Sequence, residues 1–154
     1  MRRRLFYASC VCFLSLAGPA SAQSLIDASD PEKVRNIASG YGSATLREDN
    51  VGDPMISGRI DGVPYYVFFY GCDEGGESCR SIQFRAAWDM DDFTQSSIRS
   101  WNQNKRFGKA YLDQDDDPTI EWDVNLFGGV SVRNLDDSFD WWAIVLKDFE
   151  VYIK

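Results

Sequence analysis

The sequence predicts an α+β domain, a twisted antiparallel sheet of about five strands with flanking helices packed on it. Three observations carry this. The candidate elements follow the order α-β-β-β-α-β-β-α, with strands grouped into hairpins between helices. Asp61-Gly62 and Asp115-Asp116-Asp117-Pro118 are turn signals of the kind that close hairpins. The C-terminal segment carries apolar residues at steps of three and four, the pattern of one long amphipathic helix.

From the start of the chain, residues 1–22 read as a secretory signal peptide. MRRR is cationic, LFYASCVCFLSLAG is apolar, and Ala20-x-Ala22 supplies a cleavage site. The apolar run falls short of the roughly 20 residues a membrane span needs. Residues 23–28 read as a short tether, and 29–154 as the folded domain. Ser29-Asp30-Pro31-Glu32 opens a helix, with Ser29 and Glu32 as a capping box or Asp30 as N-cap before Pro31. Val34, Ile37, Ala38 and Tyr41 follow at helical spacing.

Thr45–Glu48 is a short candidate strand, and Met55–Ile60 another. Pro64–Gly71, PYYVFFYG, lacks alternation and reads as a central strand covered on both faces. Arg80–Trp88 alternates, with Ile82, Phe84, Ala86 and Trp88 on one face. A second helix starts near Asp91-Asp92 and places Phe93, Ile98 and Trp101 inward. Ala110–Leu112 and Thr119–Leu126 form a further hairpin. The last helix runs from about Val132, with Ser131 as N-cap, to Ile153. Leu135, Phe139, Trp142, Leu146, Phe149 and Ile153 make its core stripe, and Trp141, Val145 and Tyr152 an adjacent one, with Ile144 further round. No internal repeat or low-complexity segment is apparent.

Composition excludes several classes of function. Histidine is absent, which removes Ser-His-Asp and Cys-His catalysis and every His-containing metal site. Residues 23–154 carry a net charge of −11, because the signal takes three arginines and no acid. Nucleic acid is therefore an unfavourable partner, and so is an anionic membrane surface. No cofactor motif is present, and nothing predicts stable membrane insertion after signal cleavage.

The remaining candidates are few. Cys10 and Cys12 leave with the signal, while Cys72 and Cys79 flank a short turn between two strands. In an oxidising compartment the favoured reading is a structural disulfide, against a redox pair or a thiolate metal site with Asp73 or Glu77. Asp113-x-Asp115-x-Asp117 has the start of a calcium loop, but Pro118 stands where such a loop needs Gly and Val124 where it needs Glu. Asp89, Asp91 and Asp92 offer paired carboxylates, for which a cap and solvated face is the simpler reading. Of the five tryptophans, Trp88, Trp101, Trp122 and Trp142 fall at core or core-edge positions. Trp141, with Val145, Tyr152 and Ile144, is the candidate partner surface, the alternative being that helix one or the N-terminal tether covers it.

Ser100–Gly129, SWNQNKRFGKAYLDQDDDPTIEWDVNLFGG, resembles the signature of the YbjN domain family. Trp101-Asn102, Arg106-Phe107, Tyr111, Asp115–Asp117 and Asp123–Gly129 stand in the places of that pattern. Residues 69–88 resemble the exported branch of the family, with its two cysteines, and the resemblance covers about 30–153. It implies a fold similar to the type III secretion chaperones, a sensory or regulatory role and a protein-binding surface. It carries over no catalytic residues. Secretion chaperones act before export, whereas this chain carries its own export signal.

Two functions follow as expectations. The first is an exported, non-enzymatic protein-binding or regulatory domain, chaperone-like in fold, in the periplasm or released from the cell. Its partner is another envelope protein or a second copy of the chain. The alternative is a small-ligand or glycan-binding module, with a minor hydrolase as its catalytic version.

Overall fold

The computed structural model describes residues 24–154; the expected signal peptide lies outside them. The chain forms β1 (Leu25–Ile26), α1 (Pro31–Ala38), β2 (Ser43–Glu48), β3 (Pro54–Ile60), β4 (Val63–Tyr70), β5 (Ser81–Ala87) and α2 (Gln95–Asn104). Then come β6 (Lys109–Leu112), β7 (Pro118–Asn125), β8 (Val130–Ser131) and α3 (Val132–Ile153). A six-stranded antiparallel sheet has the order β2-β3-β4-β5-β7-β6, and β1 pairs with β8 in a separate ribbon. The α+β class holds. The sheet has six strands against the expected five, all at the candidate segments; Thr45–Glu48 is among them, extended to Ser43–Glu48 and paired with β3 along its whole length.

The sheet is covered on one face only, which corrects the reading of β4. Val63, Tyr65, Val67 and Phe69 are buried, while the alternate residues Pro64, Tyr66, Phe68 and Tyr70 lie on the open face. An unbroken apolar run suggested cover on both sides. Here the open-face positions are aromatic, and Tyr66 and Tyr70 are large side chains that remain accessible to water. Phe68 sits between them, its ring 5.9 Å from Tyr66 and 6.5 Å from Tyr70, so part of its surface is shielded by its own strand.

α3 lies on the covered face. Its predicted stripe, Leu135, Phe139, Trp142, Leu146, Phe149 and Ile153, is buried throughout. Phe84 from β5 is the point of contact, 4.8 Å edge-on from Phe139 and 5.2 Å stacked on Trp142. α1 packs beside it, tied by the Tyr41 hydroxyl, which donates to the Asp136 carbonyl at 2.9 Å. Asp30, not Ser29, caps α1, accepting from the Lys33 N–H. α2 starts later than Asp91-Asp92 suggested, because Thr94 caps it by accepting from the Ser97 N–H. Within the segment expected to be a tether, β1 pairs with β8, and Ile26 and Ala28 are buried. Apolar side chains at those two positions draw the segment onto the core.

The structure also shows a local repeat that the sequence reading missed. The β2–β3 and β6–β7 connections share the pattern Asp-x-x-x-Asp-Pro-x-Ile, as Asp49–Ile56 and Asp113–Ile120. In the first, Asp49 Oδ1 accepts from the N–H groups of Val51 and Asp53, at 2.9 and 3.0 Å. In the second, Asp113 Oδ1 accepts from Asp115 and Asp117, at 3.0 and 3.1 Å. The fourth residue of each loop takes positive φ, Gly52 at 92° and Asp116 at 62°. The calcium-like acidic run is thus one of two matching turns. A half-turn about the sheet normal between β4 and β5 exchanges β2 with β6 and β3 with β7, so the two hairpins hold equivalent places.

Cys72 and Cys79 form a disulfide across the β4–β5 connection. Loss of this short-loop crosslink, by reduction or by Cys72→Ala with Cys79→Ala, is expected to lower unfolding free energy by about 2–3 kcal/mol in chemical denaturation. Tyr65 carries a buried hydroxyl with no hydrogen-bond partner among the described residues, and burial pushes its pKa up to about 12. The native state therefore keeps this proton while the unfolded chain loses it near pH 10, so stability falls as pH rises from about 10 to 12. Tyr65→Phe is expected to flatten that fall with no loss of stability at pH 7, as followed by thermal melts across the range.

Candidate functional site

The partner stripe predicted on α3 divides in the structure. Trp141 and Ile144 are accessible, at 41% and 51%, while Val145 is buried at 6%. Val145 points toward the α2–β6 connection, where a Cβ added to Gly108 would stand 2.5 Å from its Cγ1. Gly108 is thus what allows this close approach. Its φ of 70° is also a conformation that suits glycine. Its carbonyl accepts a 2.9 Å bond from the buried Trp101 Nε1, so the connection is pinned at its turn.

That pinning places Phe107 against α3. The Phe107 ring lies 5.0 Å from Trp141 on one side and 5.0 Å from Trp122 on the other. Arg106 lies over Phe107 at 5.1 Å, and Lys105 over the Trp101 ring at 5.1 Å. Lys105 also pairs with Asp148 at 2.8 Å, joining the two walls. The result is a groove of about 280 Å³ lined by Trp141, Ile144, Phe107, Arg106, Lys105 and Asp148, among others. Its floor is aromatic and its rim is charged. Among the described residues Arg106 has no ion-pair partner, whereas Lys105 has Asp148.

Tyr152 has a different place. Its hydroxyl donates to the Ser97 carbonyl at 2.9 Å, and its ring is 5.3 Å from Trp101 and 6.2 Å from Phe93. It joins α3 to α2 and does not line the groove. Helical periodicity put Trp141 and Tyr152 on one stripe, and both are exposed, at 41% and 40%, but Tyr152 is engaged by α2 at the far end of α3, away from the groove. The residues that sequence reasoning missed as site members are Phe107, Arg106, Lys105 and Asp148. The signal for the first three was the Lys-Arg-Phe-Gly step at the end of α2, of which Arg106-Phe107 entered the sequence reading only as part of the family resemblance.

The other candidates do not assemble a chemical centre. Trp101 and Trp142 are buried, and Trp88 packs on Phe149 at 5.3 Å. Asp89, Asp91 and Asp92 are exposed ahead of α2. Asp113 carries the turn bonds described above, and Asp117 Oδ1 accepts from the Met90 N–H at 3.0 Å. Among the described residues no group of three or more His, Cys, Asp or Glu is placed to hold a metal ion. What the groove can do is bury an apolar side chain and hold a carboxylate at its rim.

Different roles within one predicted stripe give a direct test. Tyr152→Phe removes a helix-joining bond and is expected to cost about 1 kcal/mol of stability. Trp141→Asp changes a half-exposed side chain and is expected to shift the melting temperature by less, as measured side by side by circular dichroism.

No curated protein matches the chain. Residues 30–153 match the YbjN family, which is described as "Putative bacterial sensory transduction regulator". The match runs from the α1 N-cap to the last residue of α3 and takes in the groove. With its α+β layer and its disulfide between β4 and β5, this chain belongs to the YbjN family.

Proposed function

We propose that this domain acts without catalysis, as an exported regulatory protein of the bacterial envelope that binds another protein through the Trp141 groove. The observation that carries the reading is the groove itself, an aromatic floor left open on α3 beside an arginine that has no ion-pair partner among the described residues. The expected occupant is a segment of a partner protein with an apolar anchor and a neighbouring carboxylate. The anchor would enter between Trp141 and Ile144, and the carboxylate would meet Arg106. The net charge of −11 over residues 23–154 repels such a segment from most of the surface, so this rim gives selectivity as well as affinity.

Export is supported by the signal-like N-terminus and by the disulfide, a bond that persists in oxidising compartments. Among the described residues no helix is long and apolar enough to cross a membrane. The absence of histidine and the scattered carboxylates favour binding over hydrolysis. The glycan reading keeps one observation in its favour, since an accessible Trp141 is also a surface on which a sugar ring stacks.

The test is photocrosslinking from position 144 in the native envelope, repeated with Trp141→Asp and Arg106→Glu. One crosslinked protein is expected to disappear in both variants while their melting temperatures stay near that of the parent. Survival of every product in both variants refutes the reading. A saturable fluorescence change with cell-wall sugars, lost in Trp141→Asp, transfers the site to the glycan alternative.

A further inference from the structure

The two edges of the sheet hold equivalent places but are finished differently. β6 is closed. The Asn102 side chain accepts from the Ala110 N–H at 2.9 Å and donates to the Ala110 carbonyl at 2.8 Å. It thus satisfies the backbone as a neighbouring strand would. Lys109 adds a charge at the same edge, donating to the Asn102 and Lys105 carbonyls.

β2 has no such closure. Which of its backbone groups face outward follows from the register. The Asp49 N–H donates to the Asp53 carbonyl at 2.8 Å, and Glu48 stands opposite Pro54. Alternation in an antiparallel ladder then turns Arg47, Thr45 and Ser43 toward β3, and Glu48, Leu46 and Ala44 outward. β6 follows the same alternation. The Asp113 N–H donates to the Asp117 carbonyl, which turns Ala110 outward, and Ala110 is the residue Asn102 caps. Leu46 stands three residues before its loop Asp, as Ala110 does. Among the described residues no side chain caps Ala44, Leu46 or Glu48 as Asn102 caps Ala110.

We infer that β2 is an assembly edge, and that a second copy of this chain pairs with it, β2 against β2, antiparallel and centred on Leu46. The chemistry of the edge asks for a strand, since only a strand offers alternating N–H and C=O groups at this spacing. The choice of a second copy rests on self-complementarity. With the two-fold axis at Leu46, Leu46 meets Leu46 of the second copy and Ala44 meets Glu48, and all outward groups of the three residues are satisfied. On the open face Thr45 then stands opposite Arg47 of the second copy, so no like charges face each other. The surface is separate from the Trp141 groove, so this inference does not depend on the function proposed above.

Thr45 is exposed on the open face, so changing it tests the register without disturbing the core. Sedimentation velocity of the exported, oxidised chain over a range of concentrations is expected to show a monomer–dimer equilibrium. Thr45→Glu places two Glu–Arg pairs across the axis and tightens the dimer by roughly fivefold, while Thr45→Arg places two Arg–Arg pairs and weakens it to a similar extent. Amide exchange adds a signature that a merely structural strand would not give. The N–H groups of Ala44, Leu46 and Glu48 gain protection as concentration rises, while those of Thr45 and Arg47 are protected throughout. Trp141→Asp leaves the dimer unchanged. A monomer at every concentration with fast exchange at Ala44, Leu46 and Glu48 overturns the inference. A dimer insensitive to both Thr45 substitutions, or one lost in Trp141→Asp, overturns it as well.

Discussion

The contact between α3 and the covered face of the sheet is the interaction on which the rest depends. Phe84 is fully buried there, between Phe139 and Trp142 of α3 and beside Trp122 of β7 at 5.9 Å. Burying aromatic side chains of this size contributes on the order of 2–3 kcal/mol each, more than any surface ion pair in the molecule. Once α3 is fixed along this line, its remaining faces are assigned. Tyr152 reaches α2, Val145 closes over Gly108, and Trp141 and Ile144 face the solvent side of the groove. The groove is therefore a consequence of core packing and not a separate feature attached to it.

Cover on one face has a second consequence. A one-sided sheet must leave its other face and its edges in water, and each is handled by local chemistry. On the open face the aromatic ladder of β4 is flanked by polar contacts, such as Gln83 donating to Asp123 at 3.0 Å. At the edges the two hairpins share a turn, but only one of them follows a helix that presents an asparagine to the strand. The last turn of α2 carries Trp101-Asn102, so the side chain that fills the core and the one that closes the edge are neighbours in sequence. α1 offers no counterpart at β2. The difference between the two edges is thus written in one residue.

Much of the fold was legible in the sequence, for physical reasons that also explain what was not. The α3 stripe could be read because six residues repeat at helical spacing and all face one sheet. The Asp61-Gly62 hairpin could be read because that pair favours the left-handed conformations the turn takes, with φ of 50° and 88°. β4 misled because hydrophobicity does not separate an aromatic residue packed in a core from one that shields its strand neighbour. The repeat went unseen because it lies in turn geometry, where two aspartates and a proline are fixed and everything between them varies. The groove was half legible. Trp141 and Ile144 follow from helical periodicity, but Phe107 and Arg106 come from a connection whose path is set by Gly108 and the Trp101 bond, and no local pattern reports that path.

The same geometry bears on why such a domain suits binding better than chemistry. Catalysis needs titratable groups brought together in a sheltered space, with partners that set their protonation. Here the carboxylates are spread over turns, helix starts and the surface of α3, and the strongest upward shifts among the tyrosines, at Tyr41 and Tyr65, arise chiefly from burial. What is concentrated instead is aromatic area beside cationic side chains. Lys105 is already held by Asp148, which keeps the rim in place when the groove is empty. Arg106 is left over the face of Phe107, oriented but unpaired among the described residues. The aromatic walls are already packed and lose little conformational freedom when an apolar anchor arrives. Under the proposed function, a segment that carries both anchor and carboxylate is favoured over one that carries only the anchor or only the charge.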